Sequence, residues 1–317
     1  IALTSLQQVK NTIQIITMQR IKKILFEDAA KLGDIKKVTE FRYMRLLRVN
    51  LLIINAWPSK EIGDKYANSW LYGVLQIVLN QFCLGTGILF LIKHSDWSFY
   101  QLGHMIITVI LGFNAFVRII ITLPQSKKYR NLIKSFLTEM HLLYFKDDSE
   151  YAMEIHRKVH SISHLFTICL TAQMICGVVL FNSIPIWSNY YSGKYKEKNL
   201  VNTTYESTLY LSMPFDLSTN LNAHIFGCFY NCLMSYLCSS SICFMDLLLS
   251  LMVFNIWGHF KILLHNLETF PLPANKVFVS MENKNARVSA EMYSEEELKV
   301  IFEKLKQCID YHRLIVS

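Results

Sequence analysis

Apolar and polar residues fall along this chain in long blocks. Four stretches are nearly free of charge, at about residues 66–92, 98–123, 161–187 and 221–254. A helix needs roughly 20 apolar residues to cross a bilayer core of about 30 Å, and each stretch has that length. Hydrocarbon offers no water to a backbone, so a spanning segment must satisfy its own hydrogen bonds and is predicted to be helical. The predicted fold class is all-α, a polytopic helical membrane protein.

Shorter patterns fill the gaps. Over residues 5–32, Leu6, Val9, Ile13, Ile16, Ile21, Ile24 and Leu25 recur near helical spacing, with Gly33 as a stop. Residues 41–57 begin basic (Arg42, Arg45, Arg48), turn apolar (Leu51, Leu52, Ile53, Ile54) and end at Trp57-Pro58. Two readings fit: an amphipathic helix lying at the membrane interface, or one packed on the ends of the spans. The fourth stretch keeps its helical spacing beyond membrane length, through Leu249, Val253, Ile256, Phe260 and Leu264. After Pro271 and Pro273 the chain is polar to about Ala290 and reads as a flexible loop. Ser294 and Glu297 then have capping-box spacing. Behind them Leu298, Ile301, Phe302, Leu305, Cys308, Ile309, His312 and Ile315 form one apolar face, which must dock within the chain or on a partner subunit.

Charge sets the orientation. The segment before the first stretch is basic, with Lys22, Lys23, Lys36, Lys37, Arg42, Arg45 and Arg48 among its cations. The first connection has only Lys93, the second carries Lys127, Lys128, Arg130, Lys134, Arg157 and Lys158, and the third is poor again. The segment after the fourth stretch returns to basic. Cations concentrate on the cytosolic side, so the N-terminus and the last segment are predicted to be cytosolic. The organisation follows: a cytosolic helical segment over 1–65, four transmembrane helices with loops over 66–265, a flexible cytosolic loop over 266–293, and the start of the next helix over 294–317. The net charge of +8 and pI near 9.0 arise from dispersed cytosolic loops, which argues against a nucleic-acid partner. A 52% hydrophobic content and mean hydropathy of +0.26 suit a membrane protein. The chain starts without Met and stops at Ser317 inside a helical pattern, so a longer protein is expected.

Candidate chemistry is sparse. No nucleophile elbow, phosphate-binding glycine loop, zinc-protease motif or paired intramembrane carboxylates occur, so the chain reads as no enzyme, with no cofactor and no metal. Cys228 and Cys232 are four apart and read as thiols packed in a helix. His156, His160 and His164 make a stripe at the start of the third stretch, without a full ligand set beside it. None of the eight cysteines falls in a predicted external loop, where a disulfide would persist. Asp246 stands near the cytosolic end of the fourth stretch. It is either a functional intramembrane group or a packing carboxylate paired with a cation. Arg118 ends the second stretch and is placed to snorkel to the headgroups. Asn202-Thr203-Thr204, in the third connection, is a glycosylation sequon, used only if that loop is external.

Several runs carry a family resemblance. Tyr43-Met44-Arg45-Leu46-Leu47-Arg48 with Ala56-Trp57-Pro58 resembles the N-terminal region of insect odorant receptors, and is most similar to the lepidopteran branch that includes sex-pheromone receptors. Met213-Pro214-Phe215-Asp216 resembles that branch's external loop. Asp246-Leu247-Leu248-Leu249-Ser250-Leu251, continuing to Trp257-Gly258-His259-Phe260-Lys261-Ile262-Leu263, resembles its fourth helix. Leu305-Lys306-Gln307-Cys308-Ile309-Asp310-Tyr311-His312-Arg313 resembles the start of its fifth. The resemblance implies seven spans, four of them present here, and a cytosolic N-terminus. It implies the odorant- or pheromone-binding subunit of a ligand-gated cation channel. That channel assembles with a shared odorant-receptor co-receptor in the plasma membrane of olfactory sensory neurons. A gustatory receptor of the same superfamily and a G-protein-coupled receptor are the alternatives. Charge bias and cysteine placement oppose the latter.

The resemblance also places a ligand among the external halves of the second, third, fourth and sixth helices, the first three of which are represented here. The candidates there are Phe99, Tyr100, His104, Thr171, Met174, Val178, Phe181, Phe226, Phe229 and Tyr230. Their rings, thioether and few hydroxyls suit a small hydrophobic volatile with one polar end. Plain helix packing would use the same residues.

Overall fold

The computed structural model describes residues 32–63, 70–94, 99–122, 127–196, 203–272, 277–283 and 286–316. Asn202 and the helix expected over 5–32, save its last residue, lie outside them. The chain divides into two compact units. One comprises Ile1–Leu137 and Ser161–Leu251, the other Thr138–His160 and Met252–Ser317.

In the first unit, α1 (Arg42–Ile53) follows the amphipathic pattern. It buries Tyr43, Met44, Leu47 and Leu51 and turns Arg42, Arg45 and Val49 outward. Asn55 takes a left-handed φ of 58°, which a short polar side chain tolerates. The Ala56 amide then donates to Leu51 O at 2.8 Å, and Trp57 is fully buried. A single turn, α2 (Ser59–Ile62), follows. Helix α3 (Trp70–Lys93) satisfies the open C-terminal end of α1: Tyr72 Oη and Gln76 Nε2 donate to Ile53 O at 2.8 and 2.7 Å. Tyr236 Oη donates to Asn50 Oδ1 at 3.0 Å. Of the two readings of this segment, the packed helix is the one built.

Helix α4 (Phe99–Thr122) lies against α3. Gly112 permits the approach, because a Cβ there would sit 3.1 Å from Leu84 Cδ2. The short α5 (Lys127–Ser135) is tied to α2 by Arg130 Nη1 on Glu61 Oε1 at 2.8 Å. Helices α6 (Glu150–Tyr191) and α7 (Leu221–Glu268) are 42 and 48 residues long. At 1.5 Å per residue they run about 63 and 72 Å, twice a bilayer core. Each therefore supplies a span and an extension, and each contributes to both units. Large apolar side chains such as Ile107, Phe113, Leu180 and Phe229 point outward from the spans, as expected of helices facing lipid. The four long apolar helices make this an all-α polytopic membrane protein.

The two ionisable residues singled out from the sequence meet each other. Arg118 Nη1 and Nη2 lie 2.7 and 3.3 Å from the Asp246 carboxylate oxygens, and Nη1 also donates to Ile242 O at 3.1 Å. Asp246 is thus a carboxylate paired with a cation across α4 and α7. Either charge left alone at membrane depth would be costly.

The second unit has its own core of Leu142, Ala152, Ile155, Val159 and Ile262. A 3-10 turn, Leu142–Phe145, enters it, with His141 as N-cap accepting from the Leu143 amide at 3.0 Å. Asn255 Oδ1 accepts from the Leu142 amide at 3.1 Å. His259 bridges Met140 O at 2.7 Å and Tyr311 Oη at 2.6 Å, which seats α8 (Glu295–Val316) by its buried side. The capping box forms: the Ser294 amide donates to Glu297 Oε2 at 2.8 Å, and the Glu297 amide to Ser294 Oγ at 3.3 Å. Much of the apolar face of α8, including Leu298, Phe302, Leu305 and Ile309, remains exposed. Within the segment expected as a loop, β1 (Val277–Asn283) and β2 (Ala286–Met292) pair antiparallel, from Val277 opposite Met292 to Asn283 opposite Ala286. This ribbon is the one β-sheet among the described residues.

Candidate functional site

The spans of the first unit line a half-open cavity of about 400 Å³, within the range of roughly 300–1,000 Å³ common to small-molecule sites. Its walls come from five segments. Helix α3 offers Asn80, Cys83, Leu84 and Gly87, one face at three- and four-residue spacing. Helix α4 offers His104, Met105, Thr108 and Leu111, and α6 offers Gly177, Val178 and Phe181. Helix α7 contributes Met234, Ser235, Cys238, Ser239 and Ile242. The connection before α7 closes the wall with Leu209 and Leu211. Among the described residues, no Lys, Arg, Asp or Glu lines it.

That connection is held by specific bonds. The Ser212 amide donates to Thr86 O at 3.1 Å, and Asn231 Nδ2 to Leu209 O at 3.3 Å. His104 Nε2 lies 3.2 Å from Thr208 O, and its ring is 5.8 Å from that of Phe181. Asp216 binds Ser218 and Thr219 through bonds of 2.6–2.7 Å. The hydroxyl of Ser218, then that of Thr219, holds the Asp216 carboxyl down to about 2. Asn220 caps α7 by accepting from the Ala223 amide at 3.1 Å. On the α6 side, Glu206 accepts from Ser188 Oγ at 2.8 Å and from Lys194 Nζ at 3.1 Å. Leu209 and Leu211 are therefore carried by a loop anchored along its length.

The residues expected at the ligand site scatter. His104, Val178 and Phe181 line the cavity. Tyr230 stands behind the wall, packed with Leu209, Leu211 and Met234, and its hydroxyl donates to Leu79 O at 3.1 Å. Met174 is buried away from the lining. Thr171 bonds Thr167 O at 2.7 Å and faces a separate shallow groove beside Arg42 and Tyr43. Phe226 and Phe229 point outward, the latter 75% exposed. The side chains of Phe99 and Tyr100 lie outside the described residues.

The missed contributors are the α3 face and the loop leucines. For α3 a signal existed: Gly73, Gln76, Asn80 and Gly87 recur at three-, four- and seven-residue spacing in a mostly apolar span, and polar or small residues mark a face turned to protein rather than lipid. For Leu209 and Leu211 there was none, because a loop leucine shows no period.

The metal candidates do not assemble. His156 and His160 are buried, with ring centroids 6.3 Å apart. Cys228 Sγ lies 3.6 Å from His224 Nε2, a contact that the reading of Cys228 with Cys232 overlooked. Among the described residues no group of three His, Cys, Asp or Glu has a metal-holding arrangement.

No curated protein matches the sequence significantly. A sequence model described as 7tm odorant receptor matches residues 98–317. The match takes in α4, α6 and α7, with their share of the cavity wall, and also α8, whereas α3 lies outside it. It spans well over half of the chain, so the motif resemblance and the family match agree, and the chain belongs to the 7tm odorant receptor family.

Proposed function

We propose that this chain is the odorant-binding subunit of a ligand-gated cation channel, and that its ligand is a small, neutral, hydrophobic volatile held in the α3–α4–α6–α7 cavity. The observation that carries this reading is the cavity: about 400 Å³, apolar walls, no charged lining residue and a few polar groups. Each buried CH₂ contributes about 0.8 kcal/mol, so a long hydrocarbon chain suits such walls and a charged amine does not. The pheromone-receptor resemblance of Met213–Asp216 and of the α7 extension supports a long-chain ligand. Membership of the family supports channel formation with a shared co-receptor in the plasma membrane of olfactory sensory neurons. The exposed apolar face of α8 supports a subunit contact there. The basic first segment supports a cytosolic N-terminus.

The cavity can be filled from α6. A Cβ at Gly177 would have no neighbouring heavy atom within 4 Å, so a larger side chain enters open space. In the full-length receptor expressed with its co-receptor, Gly177→Leu should reduce sensitivity to the longest members of a homologous volatile series at least about tenfold. The shortest members should keep theirs. An unchanged length profile, with normal surface level, would remove this cavity as the ligand site.

A further inference from the structure

Two polar groups of the cavity wall lack hydrogen-bond partners among the described residues. Asn80, on α3, is 1% exposed; its Nδ2 donates to Cys238 Sγ at 3.6 Å, and its Oδ1 has no hydrogen-bond partner among the described residues. Ser235 Oγ on α7 is likewise buried without a partner. Both residues line the cavity. Ser235 and Cys238 are three residues apart on α7 and Asn80 reaches Cys238, whereas Leu209 is held by Asn231, a turn nearer the start of α7. Along α3, Asn80 is seven residues from Gly87 at the loop end, about 10 Å of helix.

An orphaned amide oxygen inside a span is costly, because no lipid group can serve it. The two ends of the cavity therefore differ. At the loop end His104 Nε2 already has the Thr208 carbonyl at 3.2 Å. At the inner end an acceptor and a hydroxyl stand open, with apolar walls leading to them. Asn80 Oδ1 can only accept, while Ser235 Oγ can accept or donate. One functional group serves both: a hydroxyl, which donates to the amide oxygen and accepts from the serine. An aldehyde or an acetate ester carries acceptors alone and leaves Asn80 Oδ1 unpaired. A site built to pair a hydroxyl discriminates against analogues lacking it, because its own buried group then goes unsatisfied.

We propose that Asn80 and Ser235 form a hydroxyl-recognising anchor at the inner end of the cavity, so that the ligand is a long-chain alcohol bound head-inward with its hydrocarbon tail toward Leu209 and Leu211. The inference rests on the cavity being the odorant site. It adds the ligand's functional group and its direction.

The test uses the full-length receptor expressed with its co-receptor and a chain-length-matched alcohol, aldehyde, acetate and methyl ether. The alcohol should be the most potent by about tenfold, roughly the worth of one or two neutral hydrogen bonds. Asn80→Leu should erase that advantage, so that within the variant the alcohol's potency falls to within about threefold of the aldehyde's. Ser235→Ala should reduce the advantage in part, and decides the matter if Asn80→Leu fails to reach the surface. Equal or better responses to aldehyde or acetate in the wild type would overturn the anchor and leave the cavity reading standing. So would an alcohol preference that survives both substitutions. Silence toward every member of the series, at normal surface level, would overturn the cavity reading and the anchor with it.

Discussion

Single residues in this molecule show how one residue type takes opposite values in two settings. Gly258 lies on α7 against the core of the second unit. A Cβ there would overlap Leu142 Cδ1 and lie 3.1 Å from Val159 Cγ2 and 3.3 Å from Ile155 Cγ2. Leu142, Val159 and Ile155 are themselves buried, so they have nowhere to move. Ala in place of Gly gains up to about 1 kcal/mol of helix propensity, but overpacking a close-fitted core costs roughly 1–3 kcal/mol. The overlap should win. Gly258→Ala is expected to lower the midpoint of thermal unfolding in detergent by several degrees, whereas Gly177→Ala, with open space around it, should raise it slightly or leave it unchanged. A stabilising Gly258→Ala would show that the 142–159 contact is looser than drawn. The pairing of Arg118 with Asp246 is also a residue-scale result. The sequence left Asp246 between a functional group and a packing carboxylate, since nothing in one dimension brings residue 118 to residue 246.

At the scale of elements, periodic signals translated directly. The capping box before α8, the run-on of α7 to Glu268 and the stop of α1 before Trp57-Pro58 follow from local chemistry, which acts within one helical turn. The segment around His141 is different, because its state depends on burial. His141 is almost fully buried beside His156, His160 and His259, and its Nδ1 accepts from the Leu143 amide. Burial first, and then these imidazoles, depress its titration well below the ordinary 6.5. The sign follows by linkage. Above 6.5 both folded and unfolded states are neutral and the stability is intact. Below it the unfolded chain binds a proton that the folded one refuses, so stability falls as pH falls, by at most about 1.4 kcal/mol per pH unit for one group. The unfolding midpoint of the purified receptor should drop between pH 7.5 and 5.5. His141→Asn keeps an acceptor for the Leu143 amide and cannot titrate, so it should remove part of the drop. Equal midpoints at both pH values in the wild type would mean that His141 is reached by water.

For the whole molecule, the charge pattern predicts an orientation that no internal contact requires. A tag placed before Ile1 in the full-length receptor is expected to be stained by antibody only after permeabilisation. Staining of intact cells would invert the topology and place the loop carrying Leu209 and Leu211 inside the cell, away from any volatile. The same pattern explains why two of the four spans are so long. Lipid limits the apolar length to one bilayer, and the continuations of α6 and α7 contribute to a second core around Leu142, Ile155 and Ile262.

What the sequence determined by itself was the number of apolar stretches, their helical nature, the capping box before α8 and the family motifs. Each of these depends on the spacing of neighbours in one chain and on the fixed thickness of a bilayer. What only the tertiary structure decided was the membership of the cavity. His104, Val178 and Phe181 were within reach of topology, but Phe226 and Phe229 were not separable from them by composition, because an aromatic residue facing lipid and one facing a cavity are equally apolar. Asn80, Ser235, Leu209 and Leu211 join the site only because α3, α7 and the loop before α7 converge in space. Which face of an apolar helix turns inward is set by its neighbours, and the few small or polar residues in its own sequence mark that face only weakly.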